Sequence, residues 1–94
     1  MPPIPRDFYR YANIKTATTT VIHATGKGGG LVAITINGGT MGSITIYDNG
    51  AASGTEVAII AIPVAGQVFP YSAKLSTGLT IVTAAATNLT VTYA

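Results

Sequence analysis

The residues best suited to chemistry lie in the stretch "SITIYDNGAASGTEVAIIAIP", Ser43 to Pro63, where Asp48, Asn49 and Gly50 are followed further on by Glu56. Carboxylates and amides at close spacing hold calcium, which takes about six to eight oxygen ligands from patterns such as D-x-[DN]-x-[DN]-G. Here one carboxylate precedes an amide, a glycine and two alanines, and Glu56 opens the next apolar run. Asp and Asn tolerate left-handed backbone and bond nearby main chain, while Gly takes positive φ at no steric cost. The stretch therefore reads as a turn in which Asp48 bonds its own backbone, and no metal site is expected.

Two further constellations fare similarly. "GKGGG", Gly26 to Gly30, has the glycines and lysine of a phosphate loop. Such a loop needs G-x-x-x-x-G-K-[ST] between a strand and a helix. Lys27 is followed by Gly28 and then by strand-like sequence, so a hairpin tip is expected. His23 is the single histidine, and Asp48, Glu56, Ser43, Ser53, Ser72 and Ser76 complete the ingredients of a triad. A triad needs those groups positioned around a pocket, and a sandwich of this size has little room for one. With no cysteine, thiolate catalysis, zinc–thiolate sites and iron–sulfur clusters are excluded. The chain is expected to be neither an enzyme nor a cofactor binder.

The elements that would position these residues read as strands. "TATTTVIHA" is rich in β-branched residues, and "LVAITIN" alternates, with Val32, Ile34 and Ile36 on one face and Leu31, Ala33 and Thr35 on the other. "SITIYD" turns Ile44 and Ile46 inward. "VAIIAIP", apolar on both faces, reads as a buried strand. "QVFPYSAKL" contains Pro70 and so belongs at an edge or a bulge. "LTIVTA" and "NLTVTYA" complete the series, the last with Leu89, Val91 and Tyr93 opposed to Thr90 and Thr92. Glycines recur too often for a helix. Seven or eight short strands predict an all-β, single small β-sandwich, jelly-roll or immunoglobulin-like, over residues 12–94.

Composition bounds the partners. Only 9% of the 94 residues are charged, against roughly 25% in an ordinary domain, while 48% are hydrophobic. No apolar stretch approaches the ~18 residues of a membrane-spanning helix, so no membrane partner is expected. The net charge of +2 is spread along the chain, and nucleic acid would need clustered Lys and Arg. A small, weakly charged domain is more comfortable assembled than alone, which points to self-association. "MPPIPRDFYRYANI" lacks the apolar segment of a secretory signal and reads instead as an extended arm over residues 1–11. Within it Arg6, Phe8, Tyr9, Arg10 and Tyr11 are of the types enriched where proteins meet, and they are the expected partner-binding residues.

At "TATTTVIHATGKGGGLVAITIN", "GSITIYDNGAASGTEVAIIAIP" and "LSTGLTIVTAAATNLTVTYA" the chain resembles small virion proteins of tailed bacteriophages. The shared pattern opens near Tyr11-Ala12-Asn13-Ile14, passes through a "TIYDN" turn and "GLTIVT", and ends on "LTVTY". The resemblance implies a head decoration (cement) protein: a homotrimer on the capsid exterior, made in the host cytoplasm, that clamps neighbouring copies of the major capsid protein. The other reading is a fibre or tail module that binds a receptor or glycan, for which Tyr47, Tyr71 and Tyr93 are the available aromatics.

Overall fold

A computed structural model describes residues 9–26 and 29–94. Among these the chain forms eight β-strands: β1 Arg10–Ile14, β2 Thr19–His23, β3 Gly29–Gly39, β4 Ile44–Asp48, β5 Thr55–Ile60, β6 Val68–Leu75, β7 Leu79–Thr83 and β8 Thr87–Tyr93. The first pairs with the eighth, the second with the seventh, the third with the sixth and the fourth with the fifth, all antiparallel. This is one long ribbon folded back on itself. Pairing of β3 with β8 and of β4 with β7 joins the ribbon into two sheets, β1-β8-β3-β6 and β2-β7-β4-β5. A ribbon rolled into two packed sheets is a jelly roll, and it decides between the two expected sandwiches.

The core follows from strand periodicity. In β8, Thr87, Leu89 and Val91 are buried while Asn88, Thr90 and Thr92 face outward. From the same sheet Ile14, Leu31, Ile34, Ile36 and Leu75 join them, and Ile44, Ile46, Ile60, Leu79 and Ile81 come from the facing sheet. Burial of each such side chain contributes roughly 1.5–3 kcal/mol. Three buried threonines are fully committed. Thr80 Oγ1 donates to the Asn49 carbonyl at 2.8 Å, Thr83 Oγ1 to the Thr16 carbonyl at 2.6 Å and Thr87 Oγ1 to the Thr40 carbonyl at 2.7 Å, so each ties a loop to the core.

Two sequence expectations change. In β3 the buried residues are Leu31, Ile34 and Ile36, whereas Val32 is not fully buried. The reason is a bulge: Leu31 opposes Tyr93 and Ala33 opposes Thr92, so β3 carries an extra residue there and Leu31 swings inward. Strand β5, expected to be buried, is an edge strand, with Ile59 53% exposed. Pro70 lies in β6, which is both an edge strand and bulged between Pro70 and Ala73. Edge strands β2, β5 and β6 all carry irregular registers, which blunts edge-to-edge pairing between molecules.

The boundary expected after residue 11 also falls elsewhere. Arg10 opposes Tyr93 and Tyr11 opposes Thr92, so both belong to β1, because "RYANI" alternates and seats Ile14 in the core. Deleting residues 1–8 is therefore expected to leave the melting temperature within a few degrees of wild type. Deleting residues 1–14 removes Ile14 and uncovers the edge of β8, and should cost about 3 kcal/mol or more. Thermal unfolding checks this, and equal melting temperatures for the two truncations would refute it.

Candidate functional site

The two ends of the sandwich differ in chemistry. At one end the β2–β3, β4–β5 and β6–β7 connections meet, and Asp48 ties them. Its Oδ2 accepts the Ser76 N–H at 3.0 Å, and its Oδ1 accepts those of Thr77 at 2.8 Å and Gly78 at 3.2 Å. The Thr77 carbonyl in turn accepts the Gly26 N–H. Asn49 closes its own loop by donating to the Ser53 carbonyl at 2.8 Å, and its Oδ1 accepts the Gly50 N–H and the Thr25 hydroxyl. The Asp48–Asn49 pair is thus structural, as expected of a turn. Yet Asp48 serves the β6–β7 turn rather than its own, a long-range contact that local sequence does not reveal.

These N–H groups, Ser76 first, hold the Asp48 carboxyl below the usual carboxylate range, against a smaller opposing effect of desolvation. Asp48 opposes Thr55 and Tyr47 opposes Glu56, so strand periodicity puts Asp48 and Glu56 on opposite faces. Among the described residues no three of His, Cys, Asp or Glu gather to hold a metal ion. His23 Nε2 lies 2.9 Å from the Ala94 carbonyl, and its ring meets Tyr93 edge-on at 5.2 Å. Lys27 and Gly28 of the glycine-rich loop lie outside the described residues.

The other end gathers the connections β1–β2, β3–β4, β5–β6 and β7–β8. It is apolar. Ile62 is 83% exposed and Val64 54%, and Met41, Ala61, Ala65, Ala84 and Ala86 are exposed with them. The only charged residue in these connections is Lys15. Exposed apolar clusters of this kind mark interaction surfaces more often than isolated surface residues do.

Of the expected partner-binding residues, Arg6 and Phe8 lie outside the described residues. Arg10 is exposed at the edge of β1, opposite Tyr93. Tyr9 and Tyr11 share the outer face of the β1-β8-β3-β6 sheet, with Tyr11 75% exposed. The outer rows of that sheet, Tyr11–Thr92–Ala33–Pro70 and Asn13–Thr90–Thr35–Val68, hold no charge. The aromatics expected to be available for a glycan are less so: Tyr71 and Tyr93 pack against the core and Tyr47 is half-buried. The surface pair Tyr9 and Tyr11 was legible as an i, i+2 aromatic pair, had the strand been started at Arg10. Comparison with protein-family models, with curated proteins and with solved structures finds no match to the chain.

Proposed function

We propose that the chain is a head decoration (cement) protein of a tailed bacteriophage, trimeric on the capsid exterior and bound to the major capsid protein. The observation that carries the reading is the apolar end of the jelly roll, with Ile62, Val64 and Met41 exposed among alanines. A protein that is permanently seated on a larger assembly gains from such a surface, whereas one free in solution is exposed to aggregation through it. The resemblance from Tyr11 to Ala94 supports the same reading, and low charge favours close packing between copies. Arg10 opens β1 at the opposite end and would serve a second contact.

Heads lacking the protein, titrated with purified wild type and with the double variant Ile62→Asp/Val64→Asp, test this. Both residues are exposed, so the fold should persist while occupancy on the heads falls at least tenfold. Light scattering should report a trimer at micromolar concentration. Undiminished occupancy of the variant, or a wild type that ignores the heads and adsorbs to host cells, would replace this reading with that of a fibre or tail module.

A further inference from the structure

We infer that the outer face of the β1-β8-β3-β6 sheet is a binding trough for a neutral oligosaccharide chain, with Tyr9 and Tyr11 as its aromatic rim. The inference does not depend on the capsid reading, since the apolar end takes no part in it.

The trough begins at a cavity of about 410 Å³ between Tyr9 and Lys74, floored by Gly30 and Ala94 and bordered by Val32 and Ser72. Its shape follows from the strand register. Ala94 and Gly30 exchange both backbone hydrogen bonds, at 2.9 and 3.1 Å, and Gly30 opposes Lys74. The central strands therefore present small residues while the outer strands present long ones. At this point β3 carries an extra residue against β8, and β6 a further one against β3. Bulges bend and twist a sheet. Ser72, within the β6 bulge, is the one non-glycine residue with positive φ (48°) among the described residues. Such strained backbone clusters where a surface is shaped for a ligand.

From the cavity the trough continues along β8 over Ala94, Thr92, Thr90 and Asn88, a path of about 20 Å at two residues per ~7 Å. Tyr11, on β1, and Tyr9, just before it, form one rim. Beyond them lies a fixed amide network. Asn13 Nδ2 donates to Asn88 Oδ1 at 2.9 Å and to the Leu89 carbonyl, and Asn37 Nδ2 donates to Asn88 Oδ1 at 3.2 Å and to Thr90 Oγ1 at 3.0 Å. Those bonds use both hydrogens of Asn13 and of Asn37, and leave Asn88 Nδ2 as donor and the Asn13 and Asn37 Oδ1 atoms as acceptors, held in place and facing out.

This chemistry selects the ligand class. Tyrosine offers a rigid apolar ring with a polar tip, suited to the C–H face of a sugar ring, and preset amides and hydroxyls match sugar hydroxyls. A polyanion would need a cationic lining, and among the described residues Lys74 is the only cation bordering the cavity. A peptide would need either a free sheet edge or an apolar groove. Here the floor strands β8 and β3 are paired on both sides, and the floor is glycine, alanine and threonine.

The test uses native-gel affinity electrophoresis of the full chain in soluble neutral polysaccharides (a β-glucan, an α-mannan and a galactan), with hyaluronate as the anionic counterpart and an apolar peptide as competitor. At least one neutral polymer should retard the wild type. Tyr9→Ala/Tyr11→Ala should weaken retardation tenfold or more. Gly30→Val separates binding from folding. A Cβ at Gly30 would meet its nearest atoms, the Ala73 carbonyl oxygen and Ala94 Cβ, at an ordinary 3.6 Å. Valine also suits a strand better than glycine. This variant should melt no lower than wild type and yet lose retardation tenfold, because its side chain fills the floor. Ile62→Asp should bind polysaccharide as wild type does. No retardation by any neutral polymer, retardation by hyaluronate alone, displacement by the peptide, or full binding by Gly30→Val would each overturn the proposal.

Discussion

Replacing Asp48 by alanine is expected to destabilise the protein by about 2 kcal/mol, equivalent to a fall in melting temperature of about 10 °C. The cause is three backbone N–H groups of the β6–β7 turn, at Ser76, Thr77 and Gly78, that lose their acceptor together. Hydrogen bonds to a charged partner are worth more than neutral ones, but this carboxylate is partly open to water, which tempers the sum. Glu56→Ala should stay within about 0.5 kcal/mol, as surface changes do. Acidity supplies the sharper check. The folded-state pKa lies below the ordinary value of 3.8, so the contribution is fully present above that value and is lost as pH falls through the lower, folded-state value. Melting temperatures of wild type and Asp48→Ala should therefore converge below about pH 4. A gap that stays constant between pH 7 and pH 2.5 would show that the carboxylate charge is not what holds the turn.

Gly78→Ala is expected to do still more damage, about 3 kcal/mol or failure to fold. Gly78 is buried where three connections meet, and a Cβ there would sit 2.7 Å from the His23 carbonyl oxygen and 2.8 Å from the Asn49 carbonyl carbon and the Gly50 nitrogen. All three neighbours are backbone, so no side chain can swing aside. Relief requires the β2–β3 or β4–β5 connection to move, which also strains the Asp48 bonds. Gly30→Ala, where a Cβ has room, is expected to be neutral or stabilising by up to about 1 kcal/mol. Chemical denaturation of both variants measures the contrast, and similar midpoints would refute the close-packing account.

Strand β8 was legible in the sequence because its own residues alternate: Leu89 and Val91 are opposed to Thr90 and Thr92, and from Leu89 to Thr92 both neighbours stay in register. Strand β3 was misread at Leu31 because an extra residue resets the period, and a bulge leaves no mark in hydropathy when the residues around it are Leu, Val and Ala. Strand β5 was misread for another reason. Apolar character on both faces distinguishes a buried strand only if the protomer supplies the cover, and Ile59 shows that it does not. Asp48 was legible as a turn residue from Asp-Asn-Gly, but its partners are 28 to 30 residues away, beyond any local rule. The proposed trough was illegible because its rim, floor and far wall come from Tyr9 with β1, from Ala94 and β8 with β3, and from β6, which only the topology brings together.

The rolled-ribbon pairing also favours one order of events in folding. Bringing Ile14 to Leu89 directly would cost about 2 kcal/mol more closure entropy than bringing Asp48 to Thr55. Once β4 and β5 have paired, however, β3 and β6 need close only the two short connections that flank them, and the same holds for β2 with β7 and then β1 with β8. Nesting turns one distant encounter into four near ones, a zipper that starts at the β4–β5 hairpin and runs outward. Its last tooth is β1 on β8. In that order the face that bears Tyr11 and Asn13 is completed last, so a ligand bound there would report on completed molecules and pass over partial ones.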